Sequence, residues 1–316
     1  MEKAKTKSLL LIAAATLFAA IAALFITSGI TRAAPTAVDL GTATPFAILS
    51  GTPNITDAGN TSVINGNVGL SPASGAGIGL NCSQVTGVIY SVDAGGPVGC
   101  RITNAPLLVT AKNDLTTAYT DAAGRTPVTT VPTELGGTTL VAGVYDSTST
   151  TFGITAGAGA LVLDGQNDPS SVFIFQAAFN GTGLNVGSAS TVSLINGAQA
   201  CNIFWRVNTA NINSTATFVG TVMALNSITV ANGATIQGRL LARNGNVTLI
   251  NDTITVPVCA DVVDDGDGSG SGSGVVPGFP NTGKLIADTL PWVAIPAAII
   301  ILGVSLVLLG RKKHNS

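Results

Sequence analysis

The stretch Thr217-Phe218-Val219-Gly220-Thr221-Val222-Met223-Ala224 returns 18 residues later as Thr235-Ile236-Gln237-Gly238-Arg239-Leu240-Leu241-Ala242, and Thr253-Ile254 begins a third copy at the same interval. Such a unit is too short for a propeller blade or a helical repeat. It matches one coil of a β-solenoid, up to three short strands that bury their inward side chains against the coils above and below. On this reading Phe218, Ile236 and Ile254 stack as an internal ladder. Thr217, Thr235 and Thr253 form an outward column, with Thr215, Gly233 and Asn251 beside it.

Looser copies extend the pattern outward. Ile64-Asn65-Gly66-Asn67-Val68 and Val85-Thr86-Gly87-Val88-Ile89 repeat the apolar-x-Gly-x-apolar unit. Leu163-Asp164-Gly165 with Val172-Phe173-Ile174-Phe175 is echoed about 30 residues on by Ile195-Asn196-Gly197 with Asn202-Ile203-Phe204-Trp205, so the coils are unequal. One segment breaks the strand-like alternation. From Pro106 to Gly124, Leu108, Ala111, Leu115, Ala118, Tyr119 and Ala122 recur at steps of three and four, which predicts a helix over about 106–124. With a helix between early and late coils, the order of coils in space need not follow the sequence.

The flanks set the organisation. Lys3, Lys5 and Lys7, the apolar block Leu9 to Ile26 and Thr31-Arg32-Ala33 read as a signal peptide over 1–33, with an uncleaved anchor as the alternative. A folded domain is expected over 34–260. The acidic, then Gly/Ser-rich stretch 261–278 reads as a flexible tether. Phe279-Pro280-Asn281-Thr282-Gly283 (279–283) resembles an LPxTG sorting signal. It precedes an apolar span over 290–310, long enough for a transmembrane helix, and the basic cytoplasmic tail 311–316. A surface location follows, wall-linked through sortase or held by the membrane span.

Charge removes whole function classes. Only 9% of the chain is charged, and between Thr36 and Ala260 six Lys or Arg face ten acids, so no basic field exists for nucleic acid. The single histidine, His314, lies past the apolar span, which leaves no His-dependent catalytic or zinc site in the domain. Asp164 and Asp168, with Arg206, are the nearest thing to an acid/base site, but they fall in a turn where Asp usually caps backbone. No enzyme, cofactor or metal is expected. The four cysteines of an exported domain pair best locally, Cys82 with Cys100 and Cys201 with Cys259. The first then caps the coils, and the second ties the last strand back to the body.

Several segments carry a family resemblance: Asp39-Leu40-Gly41-Thr42-Ala43 with Phe46-Ala47-Ile48-Leu49, Gly66-Asn67-Val68-Gly69-Leu70-Ser71-Pro72, Asp121-Ala122-Ala123-Gly124-Arg125-Thr126-Pro127 and Glu134-Leu135-Gly136-Gly137. So do Asn196-Gly197-Ala198-Gln199-Ala200-Cys201-Asn202-Ile203-Phe204-Trp205 and Gly238-Arg239-Leu240-Leu241-Ala242-Arg243-Asn244-Gly245. Together they resemble the DUF3494 ice-binding proteins over about Val38 to Cys259. The resemblance implies a mainly β fold, an irregular right-handed β-solenoid of triangular cross-section with one long helix alongside. It also implies a flat face that adsorbs to ice; a monomer is expected.

The resemblance implies an ice-face motif of Thr, Ala or Gly, any residue, then Thr or Asn. Asn232-Gly233-Ala234-Thr235 fits all but its first place, and Ser214-Thr215-Ala216-Thr217 only its last. The expected ice-binding residues are Thr215, Thr217, Asn232, Thr235, Asn251 and Thr253. Strands stacked about 4.8 Å apart present such groups as a two-dimensional grid, and ice offers only water as a ligand, so many weak contacts must act together. A surface adhesin for glycans or proteins is the competing reading.

Overall fold

The computed structural model describes residues 35–177 and 183–260. The expected signal peptide, tether, sorting motif, apolar span and basic tail lie outside them. Among the described residues no helix is long and apolar enough to cross a membrane.

The fold is mainly β, with parallel strands in three sheets and one long helix. The first sheet runs, in spatial order, through Arg101–Thr103, Ile89–Ser91, Asn67–Leu70, Phe46–Ser50, Thr235–Ala242, Thr217–Ala224, Ile203–Val207, Phe173–Gln176, Gly143–Ser147 and Val128–Val131. The second runs through Phe152–Ile154, Gly183–Val186, Thr209–Ile212, Ile228–Val230, Val247–Leu249, Ile55–Asp57 and Ile78–Gly79. The third joins Val192–Ile195, Leu161–Asp164 and Thr139–Val141. Its line continues through a bridge from Thr191 to Thr217, then along the first halves of the two eight-residue strands to Thr253–Thr255 and Val63–Asn65.

The repeat is the pairing register itself. Thr217 pairs with Thr235 and Thr235 with Thr253, while Phe218, Ile236 and Ile254 pair inside and are all buried. The same ladder reaches Ile64 and then Val85, which explains the looser early copies. Gly220 and Gly238 occupy the bend between the third and first sheets. A Cβ on Gly238 would lie 1.9 Å from the Gly220 carbonyl oxygen, and Gly220 has φ +114°, so no other residue fits either place. The 30-residue echo also holds for Phe173–Ile203 and Phe175–Trp205. In the neighbouring segment Leu163 pairs with Leu194, not Ile195. That register keeps Leu163 inside and leaves Ile195 exposed at 41%.

Strand Phe46–Ser50 lies between Asn67–Leu70 and Thr235–Ala242, so the N-terminal coils stack on the C-terminal ones. The helix makes this possible. Ala105–Gly124 spans about 30 Å and carries the chain along the first sheet, from its Arg101–Thr103 edge to its Val128–Val131 edge. It starts where Asn104 Oδ1 accepts the Leu107 N–H at 3.1 Å, with Pro106 in the first turn, where no N–H is missed. Its buried residues are the six of the predicted stripe, packed on Phe46, Leu49, Ile174, Phe204, Met223 and Leu241. Tyr119 Oη donates to the Val207 carbonyl at 3.1 Å, and Lys112 Nζ to those of Ala242 and Arg243 at 2.7 and 2.6 Å. Burial beside Arg243 pushes the Lys112 ammonium down to about 7.

Between the sheets lies one apolar core, with Tyr145, Phe175, Trp205 and Phe218 stacked coil on coil. Phe175 and Trp205 rings lie 3.8 Å apart and nearly parallel. Cys82–Cys100 closes an 18-residue loop over the end at Ile78–Gly79. Cys201–Cys259 fastens the closing segment to the turn before Ile203–Val207.

Candidate functional site

The second sheet has the simplest surface. Its inward positions are buried and, Asp57 apart, apolar: Phe152, Leu184, Ala210, Ile228, Val247, Ile55 and Ile78 on one side of each strand's middle residue, and Ile154, Val186, Ile212, Val230 and Leu249 on the other. The residues between them must therefore point outward. In register they are Gly153, Asn185, Asn211, Thr229, Thr248, Thr56 and Gly79. Seven strands present seven small uncharged groups in a row of about 29 Å.

The chain then turns into the third sheet through left-handed residues stacked one above another: Ala189, Thr215, Gly233, Asn251 and Asn60, with φ between +54° and +81°. Gly and Asn adopt this conformation readily, but a β-branched residue does not. Thr215, at φ +59°, is therefore held there against its own preference. It is exposed, as are Asn232 and Asn251, whose side chains meet at 3.3 Å.

Beyond the turn, Thr217 and Thr235 are exposed and Thr253 half-buried, in one column as the repeat predicts. Thr191 joins the column through its bridge to Thr217. The spacing of 18 could not find it, because its coil is longer. Among the described residues the hydroxyls of Thr56, Thr217, Thr229, Thr235 and Thr253 bond to no protein group, which leaves them available to solvent. Of the six expected residues, Thr215 and Asn251 lie on the turn column, Asn232 just before it, and Thr217, Thr235 and Thr253 two residues after it. The second-sheet row beside them is new, and only its strand register reveals it.

Beneath the turn sits the polar support. Asp252 accepts the N–H groups of Ala234 at 2.9 Å and Ile250 at 2.8 Å, while Asp57 accepts Ser62 N and Oγ and Gln84 Nε2 at 3.0, 2.8 and 2.6 Å. Both carboxylates are buried. Burial, with the Asp57 charge nearby, pushes Asp252 up to about 6. These acids stand behind the face and add no charge to its surface.

The other two surfaces differ. The helix covers the first sheet, and the third sheet's early strands expose Val141, Ile195 and the carboxylate-bearing Asp164.

An Ice-binding-like family model matches residues 48–255, which takes in every strand except the first two residues of Phe46–Ser50. The chain belongs to the Ice-binding-like family. It is similar to an "Ice-binding protein" of Flavobacterium frigoris (strain PS1), 43% identical over 70% of this chain and 76% of the relative. An "Ice-binding protein" of Colwellia sp is 43% identical over 71% and 86%. Among solved structures, the DUF3494 domain of Shewanella frigidimarina ice-binding protein_1 aligns with a TM-score of 0.63 at 30% identity, over 71% of this chain and 99% of that one. An ice binding protein from an Antarctic Biological Consortium aligns at 0.60 and 35%, over 72% and 95%.

In this Ice-binding-like chain Asp164 and Asp168 are turn caps. Asp164 Oδ1 accepts Gln166 N at 2.8 Å and Asn196 Nδ2 at 2.9 Å, and Asp168 Oδ1 accepts Ser170 N and Oγ at 2.8 and 2.6 Å. Those two bonds hold the Asp168 carboxyl below its usual range, suited to capping and not to donating protons. Arg206 lies instead over the Tyr119 ring, 4.5 Å from its centroid, at the helix.

Proposed function

We propose that this chain is an ice-binding, antifreeze protein whose three sheets close into an irregular right-handed β-solenoid of triangular cross-section. It adsorbs to ice through the second-sheet row together with Thr215, Thr217, Asn232, Thr235, Asn251 and Thr253. The observation that carries this reading is a seven-strand register of small uncharged groups beside a threonine column whose hydroxyls are left to water. A charged group would keep its own hydration shell and compete with the lattice. A threonine, stiff at χ1, holds water at a fixed spacing with its hydroxyl and methyl. Each contact is weak, so affinity comes from engaging many in one rigid array.

The role is adsorption and not catalysis. Pinned molecules make an ice front curve between them and slow its growth and recrystallisation. The signal-like start, the tether and the sorting-like motif with its apolar span support display at the cell surface, where the same face also holds a cell at ice.

The test is an ice-recrystallisation assay on the purified protein at micromolar concentration. Suppressed grain growth is expected. Unchanged grain growth by folded protein would pass the reading to an adhesin for glycans or proteins. Attachment is read by mass spectrometry: wall-linked protein ending at Thr282 supports sorting, and an intact chain to Ser316 in the membrane supports a plain anchor.

A further inference from the structure

We propose that the cavity between the N-terminal segment, the turn before Ile203–Val207 and the closing segment 256–259 binds a small carboxylate carried on an apolar body. The cavity measures about 630 Å³, a size that suits a small organic ligand. Its apolar walls include Val38, Leu40, Pro45, Phe204, Val256 and Pro257. None of its lining residues belongs to the second sheet, so adsorption to ice does not use it.

Arg239 lines this cavity and is only 4% exposed. Its Nε donates to the Thr44 carbonyl at 2.8 Å and its Nη1 to Thr221 Oγ1 at 3.2 Å. Those bonds account for its structural use, joining the N-terminal and C-terminal coils. Among the described residues its Nη2 makes no hydrogen bond, and no carboxylate lies within ion-pair reach, since the one ion pair joins Arg125 to Asp121. Burial without an anion pushes the guanidinium down to about 10. A buried cation with a free donor is where an incoming anion gains most, because the protein has already desolvated it.

The remaining lining selects among anions. Among the described residues Asp39 is the only other charged residue on the wall, and its Oδ1 accepts the Gly41 N–H at 2.8 Å. One free donor opposed by one carboxylate suits a monoanion better than a dianionic phosphate. Apolar walls disfavour a strongly hydrated inorganic ion and favour a hydrocarbon or aromatic body.

The test is isothermal titration of 3-phenylpropanoate into the full chain in non-ionic detergent, with 3-phenylpropanamide as the neutral control. We expect the carboxylate to bind at about millimolar or tighter and the amide at least about tenfold more weakly. Arg239→Gln should abolish that preference. Because this variant also loses the Thr44 bond, Asp39→Asn is the arm that leaves the fold alone, and it should tighten carboxylate binding several-fold. Equal affinity for acid and amide, no effect of Asp39→Asn, or no heat up to about 10 mM overturns the proposal. Binding that emerges only when Asp261, Asp264 and Asp265 are replaced by Asn assigns the site to the chain's own acids, and overturns it as well.

Discussion

Two surfaces of this molecule carry rows of threonine, and they use them differently. On the exposed side of the helix, Thr110, Thr117 and Thr120 donate their hydroxyls to the carbonyls four residues back, at 3.1, 3.2 and 2.9 Å. On the stacked strands, Thr217, Thr235 and Thr253 have no such neighbour. A strand's carbonyls lie in the sheet plane and are already engaged by the next coil, so the hydroxyl stays available to water. The helix row also follows a cylinder, while the sheet row repeats at one strand spacing. Threonine content therefore does not make an ice face. Free hydroxyls repeating at one strand spacing are what set the proposed face apart.

The largest expected effect separates these two rows. Thr235→Tyr places a ring in the middle of the column and should cut recrystallisation inhibition by about tenfold or more, because neighbouring coils are lifted from the crystal together. Stability should stay within about ±0.5 kcal/mol, since Thr235 is exposed. Thermal unfolding and the ice assay on the same sample read both. Unchanged activity with unchanged stability would place the ice face elsewhere on the molecule.

A milder substitution isolates the hydroxyls. Thr217→Val with Thr235→Val keeps methyls and shape and should lower activity several-fold, while Thr117→Val with Thr120→Val should not. Equal losses from the two pairs would mean that free hydroxyls are not the distinguishing property.

The turn beneath the face predicts a pH dependence of its own. Asp252 binds its proton more tightly when folded, at about 6 against an ordinary 3.8. Its contribution to stability is therefore complete below 3.8 and lost as pH rises through 6. Going from pH 7 to pH 5 should add about 1 kcal/mol to unfolding free energy, and Asp252→Asn should remove that increment. Denaturant unfolding at the two pH values measures it.

Thr215→Gly should work in opposite directions on stability and activity. Relief of the left-handed conformation should stabilise the fold by up to about 1 kcal/mol, partly offset by glycine's greater freedom in the unfolded chain. Ice activity should fall modestly as one hydroxyl and methyl leave the turn. The smallest effect is expected of Thr117→Tyr, an exposed change on the helix that should alter neither stability nor activity beyond error.

Much of this was legible in the sequence where coils are equal and adjacent. The interval of 18 gives Phe218, Ile236 and Ile254 inside and Thr217, Thr235 and Thr253 outside, and the structure pairs them so. The helical stripe from Leu108 to Ala122 was readable from its own spacing, while four cysteines allow three pairings, of which the structure forms the expected one, Cys82–Cys100 and Cys201–Cys259. Thr191 escaped because 26 residues separate it from Thr217. The second-sheet row escaped for the same reason: Gly153, Asn185, Asn211, Thr229 and Thr248 follow at steps of 32, 26, 18 and 19, and no fixed period finds them.

The sequence by itself determined which side chains turn inward. Strand alternation and the Gly bends impose that locally, whatever lies above or below a coil. Only the tertiary structure decided which coils are neighbours. Thr56 pairs with Thr248, and Phe46–Ser50 pairs with both Asn67–Leu70 and Thr235–Ala242, across almost the whole length of the domain. An unpaired strand edge accepts any backbone of matching direction. The choice among edges comes from the packing of the returning helix and of the apolar ladders, and although each leaves its own local spacing in the sequence, neither spacing names the edge it will meet.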